Sequence, residues 1–131
     1  MPKKDYELRT VDDLWRPRFE SLPKRMKEIV NDKILNHIKP APYDSEYLRM
    51  ELEGLRSYNE LETDSRIIFA ICEECRKNGF QPANNCRNCG EIPDNTIMLF
   101  AFGGHGLYAE LGRKRSKAVD KARKLRSRRR H

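Results

Sequence analysis

This 131-residue chain has no long apolar run. Nothing in it approaches the roughly 20 apolar residues that a membrane-spanning helix needs, so no membrane partner is expected. The opening Met1-Pro-Lys-Lys-Asp-Tyr6 has no apolar segment behind its lysines. It does not read as a signal peptide, and a cytoplasmic protein is expected. Cysteine is missing from residues 1–71 and from 90–131. Histidine is scarce, with His37, His105 and His131 only. Acid is nearly missing from the C-terminal end. Residues 112–131 hold 11 Lys or Arg against one Asp, while the other 111 residues hold 16 against 19 acids. The net charge of +7 therefore belongs to a tail. A dense block of one sign is costly to keep compact without a counterion partner, and the partner it suits is RNA or DNA.

What is present suffices for one domain with a modest core. Tyr6 to Thr10 reads as a short strand. Asp12 and Asp13 are suitable N-caps for a first helix carrying Leu14, Phe19 and Leu22, with Pro17 limiting where that helix starts. Pro23 suits the first turn of a second helix, in which Met26, Ile29, Val30, Ile34 and Ile38 recur at helical spacing. Ser45 to Glu53 suits one or two helical turns, broken at Gly54. Leu55 to Leu61 alternates and reads as a strand. Glu62-Thr-Asp-Ser65 suits a hairpin turn. Arg66 to Cys72 is apolar almost throughout, as in a central strand buried on both faces. Thr96 to Phe102 is the last strand, and a final helix runs from about Leu107 into the tail. The expectation is an α+β fold: an antiparallel, mixed-edge, four-stranded sheet with an N-terminal helical hairpin on it. Arg66 at the start of one strand and His105 after its antiparallel neighbour then lie at the same end of the sheet.

The four cysteines form Cys72-x2-Cys75, ten residues, then Cys86-x2-Cys89. Two thiolate pairs of this spacing make a closed tetrahedral site, so the expected cofactor is one structural zinc in a knuckle between the last two strands. A closed site leaves no open position for water, and no catalytic metal is expected. Two disulfides or a redox pair are the rival uses of these residues.

The order of elements, with Glu46-x-Leu48-Arg49-x-x-Leu52-x-Gly54-Leu55, then Arg66-Ile-Ile-Phe-Ala-Ile, then Ile97-Met-Leu-Phe-Ala-Phe-Gly-Gly-His105-Gly-Leu-Tyr108, resembles the RelE/ParE superfamily of toxins. The resemblance spans about Tyr6 to Leu111. It implies a toxin domain over residues 1–111, with a zinc-knuckle insertion at 72–90 and a basic tail at 112–131. The knuckle replaces what is a short turn in that family, and the tail extends beyond its usual end. His105 and Tyr108 stand one residue closer together than in common members. The RelE branch cuts mRNA, often in the ribosomal A site, whereas the ParE branch inhibits DNA gyrase. Glu46, Arg66 and His105 favour the nuclease branch. The partners implied are mRNA, the ribosome with its rRNA, and a cognate antitoxin.

RNA cleavage without a metal needs a base for the 2′-hydroxyl, cations for the pentacoordinate phosphate and an acid for the leaving 5′-oxygen. Glu46 and His105 suit base and acid, in either order. Arg66 and Arg49 suit the phosphate, and Tyr108 a stacked base or the phosphate. Arg56, Arg113, Lys114, Arg115 and Lys117 are further candidates for phosphate contact. The other expectation is a zinc-ribbon nucleic-acid-binding regulator without catalysis, or a ParE-like gyrase inhibitor. The plainer roles are an Arg66 paired with Glu62 or Asp64, a surface Glu46, a loop His105 and a core Tyr108.

Overall fold

Two β-rich apolar stretches form the centre of the molecule, as their composition predicts. The computed structural model describes residues 5–60, 65–80, 89–104 and 106–129. Strand β4 (Ser65–Ile71) pairs antiparallel with β5 (Thr96–Gly103). From Ile67 to Ile71 no residue of β4 exceeds 3% exposure. Its side chains alternate between two cores: Ile67, Phe69 and Ile71 enter one, Ile68 and Ala70 the other. Each such fully buried large apolar side chain contributes about 1.5–3 kcal/mol.

The sheet has five strands in the order β1-β5-β4-β3-β2, with β1 at Glu7–Thr10, β2 at Glu46–Tyr47 and β3 at Arg56–Glu60. β1 lies parallel to β5, and every other pairing is antiparallel. Four strands were expected. The fifth, β2, falls where one or two helical turns were expected, because Leu48 and Leu52 stand four apart and mimic a helical stripe. Only Met50–Leu52 is helical there, as one 3-10 turn. The residues before it join the edge of β3, and Leu48 N–H donates to the Leu55 carbonyl at 2.9 Å. The expected turn at Glu62 to Ser65 lies mostly outside the described residues, but Glu60 pairs with Ser65 across it.

Helix α1 (Asp12–Glu20) and helix α2 (Lys24–Lys33) cover the first core. Val11, not Asp12 or Asp13, is the N-cap of α1, and Pro17 sits inside the helix. Trp15 anchors α1: it is 6% exposed and meets the Phe102 ring edge-on at 5.0 Å. α2 continues into a wider π-helical turn, Ile34–Ile38, in which Lys39 N–H reaches back to the Ile34 carbonyl. That turn buries both Ile34 and Ile38.

The second core is closed by Leu48, Leu52 and Leu55 and by the start of helix α4 (Gly106–Arg129). α4 passes through Gly112 without a break. Gly54 allows the chain to turn into β3 at φ +97, and a Cβ there would stand 2.5 Å from the Phe80 ring. Cys72 does not end a strand. It opens helix α3 (Cys72–Asn78), which closes on Gly79 in the left-handed conformation. Among the described residues, no helix is long and apolar enough to cross a membrane.

A β-bulge sets the register on which everything below depends. Ile68 stands opposite Ala101 but Phe69 stands opposite Leu99, so Phe100 is an extra residue on β5. Phe100 and Ala101 both enter the second core. A one-residue shift moves every later side chain to the other face. Here it sends Phe102 to the first core and brings Gly103 opposite Arg66.

Candidate active site

Pairing brings a polar patch together on the second face of the sheet, at the end where β4 begins. Ser57 on β3 stands opposite Glu46 on β2 and opposite Ile68 on β4. Paired residues share a face, as do residues two apart. Asn59 stands opposite Arg66, and Arg66 opposite Gly103. Glu46, Ser57, Asn59 and Arg66 therefore share the face that buries Ile68 and Ala70.

α4 completes this patch in its first turn. The Tyr108 hydroxyl lies 3.0 Å from Ser57 Oγ, and Ser57 is 2% exposed. The Tyr108 ring lies 5.3 Å from the Arg66 guanidinium carbon. A cation over an aromatic face at partial burial is worth about 0.5–2 kcal/mol. Tyr108 is thus held at both its hydroxyl and its ring, and it fixes where the Arg66 side chain rests. A planar guanidinium beside a ring suits a phosphate next to a stacked base.

His105 lies outside the described residues. Its flanking backbone is described: Gly103 stands opposite Arg66, and Gly106 opens α4. Glu46 is exposed at the sheet edge, and Arg49 is exposed just beyond it. Arg113, Lys114 and Lys117 are exposed on α4, with Lys114 Nζ 3.4 Å from Glu110.

Two of the candidate phosphate contacts are placed otherwise than expected. Arg56 is held by Glu74 of α3 through two hydrogen bonds, Nε to Oε2 at 3.0 Å and Nη2 to Oε1 at 2.9 Å. It also donates to the carbonyls of Tyr43 and Ser45, and it lies over the Tyr43 and Tyr47 rings. Burial, then the charges of Glu53 and Glu74, raise the Tyr47 hydroxyl above the usual phenol range. Arg56 fastens the sheet edge to α3. Arg115 is 7% exposed and donates to the Glu51 carbonyl at 2.8 Å, turned inward from the basic face of α4.

Cys72 and Cys75 are buried one turn apart on α3, where a knuckle turn had been expected. The far end of the long loop returns to the same helix. Glu73 N–H donates to the Asp94 carbonyl at 3.2 Å. The Arg76 side chain donates to the Asp94 carboxylate and to the Ile92 carbonyl. Ile92 directly follows the 3-10 turn Cys89–Glu91. Cys86 and the Cys89 side chain lie outside the described residues. Among the described residues no three His, Cys, Asp or Glu side chains gather as metal ligands.

No family model matches this chain, and no curated protein matches it. A solved structure does. The chain is similar to one in the crystal structure of the toxin–antitoxin complex RelBE2 from Mycobacterium tuberculosis. The superposition has a TM-score of 0.57 at 17% identity and covers 79% of this chain and 95% of that one. The fold is RelE-like. Its α+β architecture, a mixed five-stranded sheet with helices, agrees with the resemblance seen in the sequence.

Within this RelE-like frame, Arg66 and Tyr108 come together, and Glu46 stands exposed on the same face, paired with Ser57 across the strands. Ser57 and Asn59 were not singled out from the sequence. Their signal was the alternation of Leu55 to Leu61, which places both on the face of Leu55. Glu74, the partner of Arg56, carried no such signal.

Proposed function

We propose that this chain is the toxin of a type II toxin–antitoxin pair and an endoribonuclease that cleaves mRNA on the ribosome. One observation carries the proposal: the Arg66 guanidinium rests on the Tyr108 ring at the sheet end from which the chain runs to His105. The RelE-like fold supports the toxin reading, and the neighbour's name supports an antitoxin partner.

Arg66 and the exposed Arg49 hold the scissile phosphate and stabilise its pentacoordinate charge. A positioned donor of this kind is worth about 3–4 kcal/mol in the transition state. Tyr108 stacks on a neighbouring base. Glu46 and His105 divide the base and acid roles. Side chains supply every role, so the chemistry proposed needs no catalytic metal. Arg113, Lys114 and Lys117 track the RNA backbone, while Arg56 and Arg115 serve the fold. One structural zinc is held by Cys72, Cys75, Cys86 and Cys89. The buried pair on α3 and the loop end tied to that helix fit such a centre. The metal, when bound, staples the loop and supplies no chemistry to the RNA.

The test is 5′-end mapping of mRNA in cells briefly expressing the wild-type chain, Arg66→Ala or His105→Ala. Cuts inside translated frames with the wild type alone are expected. Undiminished cutting by both variants overturns the mechanism. No cuts from any of the three moves the function to nucleic-acid binding without cleavage, or to DNA gyrase.

A further inference from the structure

Ser57 places a hydroxyl among buried apolar side chains. It stands opposite Ile68 and two residues from Leu55, both fully buried in the second core. An apolar side chain would suit that position, whereas a hydroxyl there costs stability unless it is hydrogen-bonded. Among the described residues its Oγ has one side-chain partner, the Tyr108 hydroxyl at 3.0 Å. A place in the core is thus given over to holding one tyrosine.

That bond decides which part of Tyr108 is open to a substrate. Ser57 is buried, so the phenol hydroxyl beside it is turned into the second core. The hydroxyl is engaged inside the protein, and the half-buried ring is what Tyr108 presents. The Arg66 guanidinium carbon lies 5.3 Å from the centre of that ring. The backbone end of Tyr108 is held as well. Leu107 and Leu111 enter the second core on either side of it in the chain. The Leu107 Cβ lies 3.8 Å from where a Cβ of Gly103 would stand, and Gly103 is the residue opposite Arg66. A ring fixed at its hydroxyl and at its backbone has little freedom to tilt. An arginine side chain has many rotamers, and a fixed ring beneath it selects among them.

We infer that Ser57 is a positioning residue of the candidate active site: through the Tyr108 hydroxyl it fixes the ring on which Arg66 rests. This rests on the ribonuclease reading above and deepens it. Tyr108 acts by its ring, as a platform for a base and a guide for Arg66. Its hydroxyl carries no proton to or from the RNA, which leaves proton transfer to Glu46 and His105. Ser57 itself touches no substrate and acts only through Tyr108.

The experiment times single-turnover cleavage of a defined mRNA on ribosomes, with the full chain at saturating concentration. The wild type is compared with Ser57→Ala, Tyr108→Phe, the double variant and Arg66→Ala. Ser57→Ala and Tyr108→Phe are each expected to lose about tenfold or more in rate, as a small displacement of a positioned group costs on this order. The double variant is expected to be no slower than the slower of these two, because both changes remove the same bond. In the free chain, the Arg66 Nε–H NMR signal is displaced by the Tyr108 ring current and is expected to move in both. A purely structural Ser57 would lower the unfolding temperature and leave the saturating rate alone. A folded Ser57→Ala with the wild-type rate, or with an unmoved Arg66 signal, therefore overturns the inference. Losses that multiply in the double variant also overturn it, since they give the Tyr108 hydroxyl a role apart from Ser57. Should Ser57→Ala not fold, Tyr108→Phe breaks the same bond from the other side, and an unmoved Arg66 signal there overturns the inference. A wild type that cleaves no faster than Arg66→Ala removes the ribonuclease reading and this inference together. Cleavage that depends on Arg66 but not on Ser57 removes this inference alone.

Discussion

Arg56 and Arg66 stand ten residues apart in the chain and have opposite circumstances. Arg56 grips Glu74 with two parallel hydrogen bonds, and both side chains are largely buried, at 13% and 11% exposure. Arg66 stands at the start of its strand, half-buried beside Tyr108. The sequence shows two arginines near strand ends and cannot separate them, because the partner that separates them lies on a helix eighteen residues away. The consequence can be measured in purified protein. Arg56→Met leaves Glu74 buried without its partner, so urea unfolding should show a loss of about 3 kcal/mol or more. Arg66→Ala takes away a half-buried side chain at a strand end and should cost about 1 kcal/mol or less. Equal losses in the two variants would contradict this division between an arginine that holds the fold and one that the fold can spare.

At the scale of elements, α4 is fixed along its first three turns by contacts of different kinds. Leu107 and Leu111 enter the second core, Tyr108 meets Ser57, and Arg18 of α1 binds Glu110. The Arg18 hydrogen bond is the main cause that holds the Glu110 carboxyl below its ordinary value of 4.5. A depressed carboxylate adds stability that is present above the unfolded value and is lost as the pH falls through the folded one. The α1–α4 tie is therefore complete at neutral pH and fails in acid, below about pH 4.5. About a third of each side chain is exposed, so screening keeps its worth under about 1 kcal/mol. Glu110→Gln should flatten the acid limb of a stability-versus-pH curve. A curve parallel to the wild type across pH 3–6 would show that the tie does not act. Helix α4 was legible in outline from its composition. Its inward-facing Arg115 was not, since one arginine among 11 cations in a basic run carries no mark of burial.

The whole molecule separates an acidic body from a basic helix. Truncation after Ser116 keeps Leu107, Tyr108, Leu111 and Arg115 but removes Lys117 and the seven Lys or Arg beyond it. The truncated chain should unfold at nearly the wild-type temperature, because the packing of α4 on the body is retained. Its binding to a single-stranded RNA should depend less steeply on salt, by about 0.7 in the logarithmic slope for each phosphate that the tail would otherwise neutralise. An unchanged slope would show that the tail does not touch RNA.

Composition alone determined the two central strands, the two-sided burial of β4, the amphipathic second helix and the basic end. Each is a local consequence of side-chain period or charge density, and each can be read without knowing its neighbour. The shared end of β4 and β5, where Arg66 and Gly103 meet, was legible because antiparallel neighbours must turn back on each other. Only the tertiary structure decided the rest. The bulge at Phe100 lies in an unbroken apolar run and has no signature there, yet it places Gly103 rather than Phe102 opposite Arg66. The two-residue strand β2 exists because β3 offers an open edge, against the helical spacing of Leu48 and Leu52. Arg56 and Arg115 were drawn into the fold by Glu74 and by the Glu51 carbonyl beside the Phe80 ring, partners that only long-range contact can bring to them.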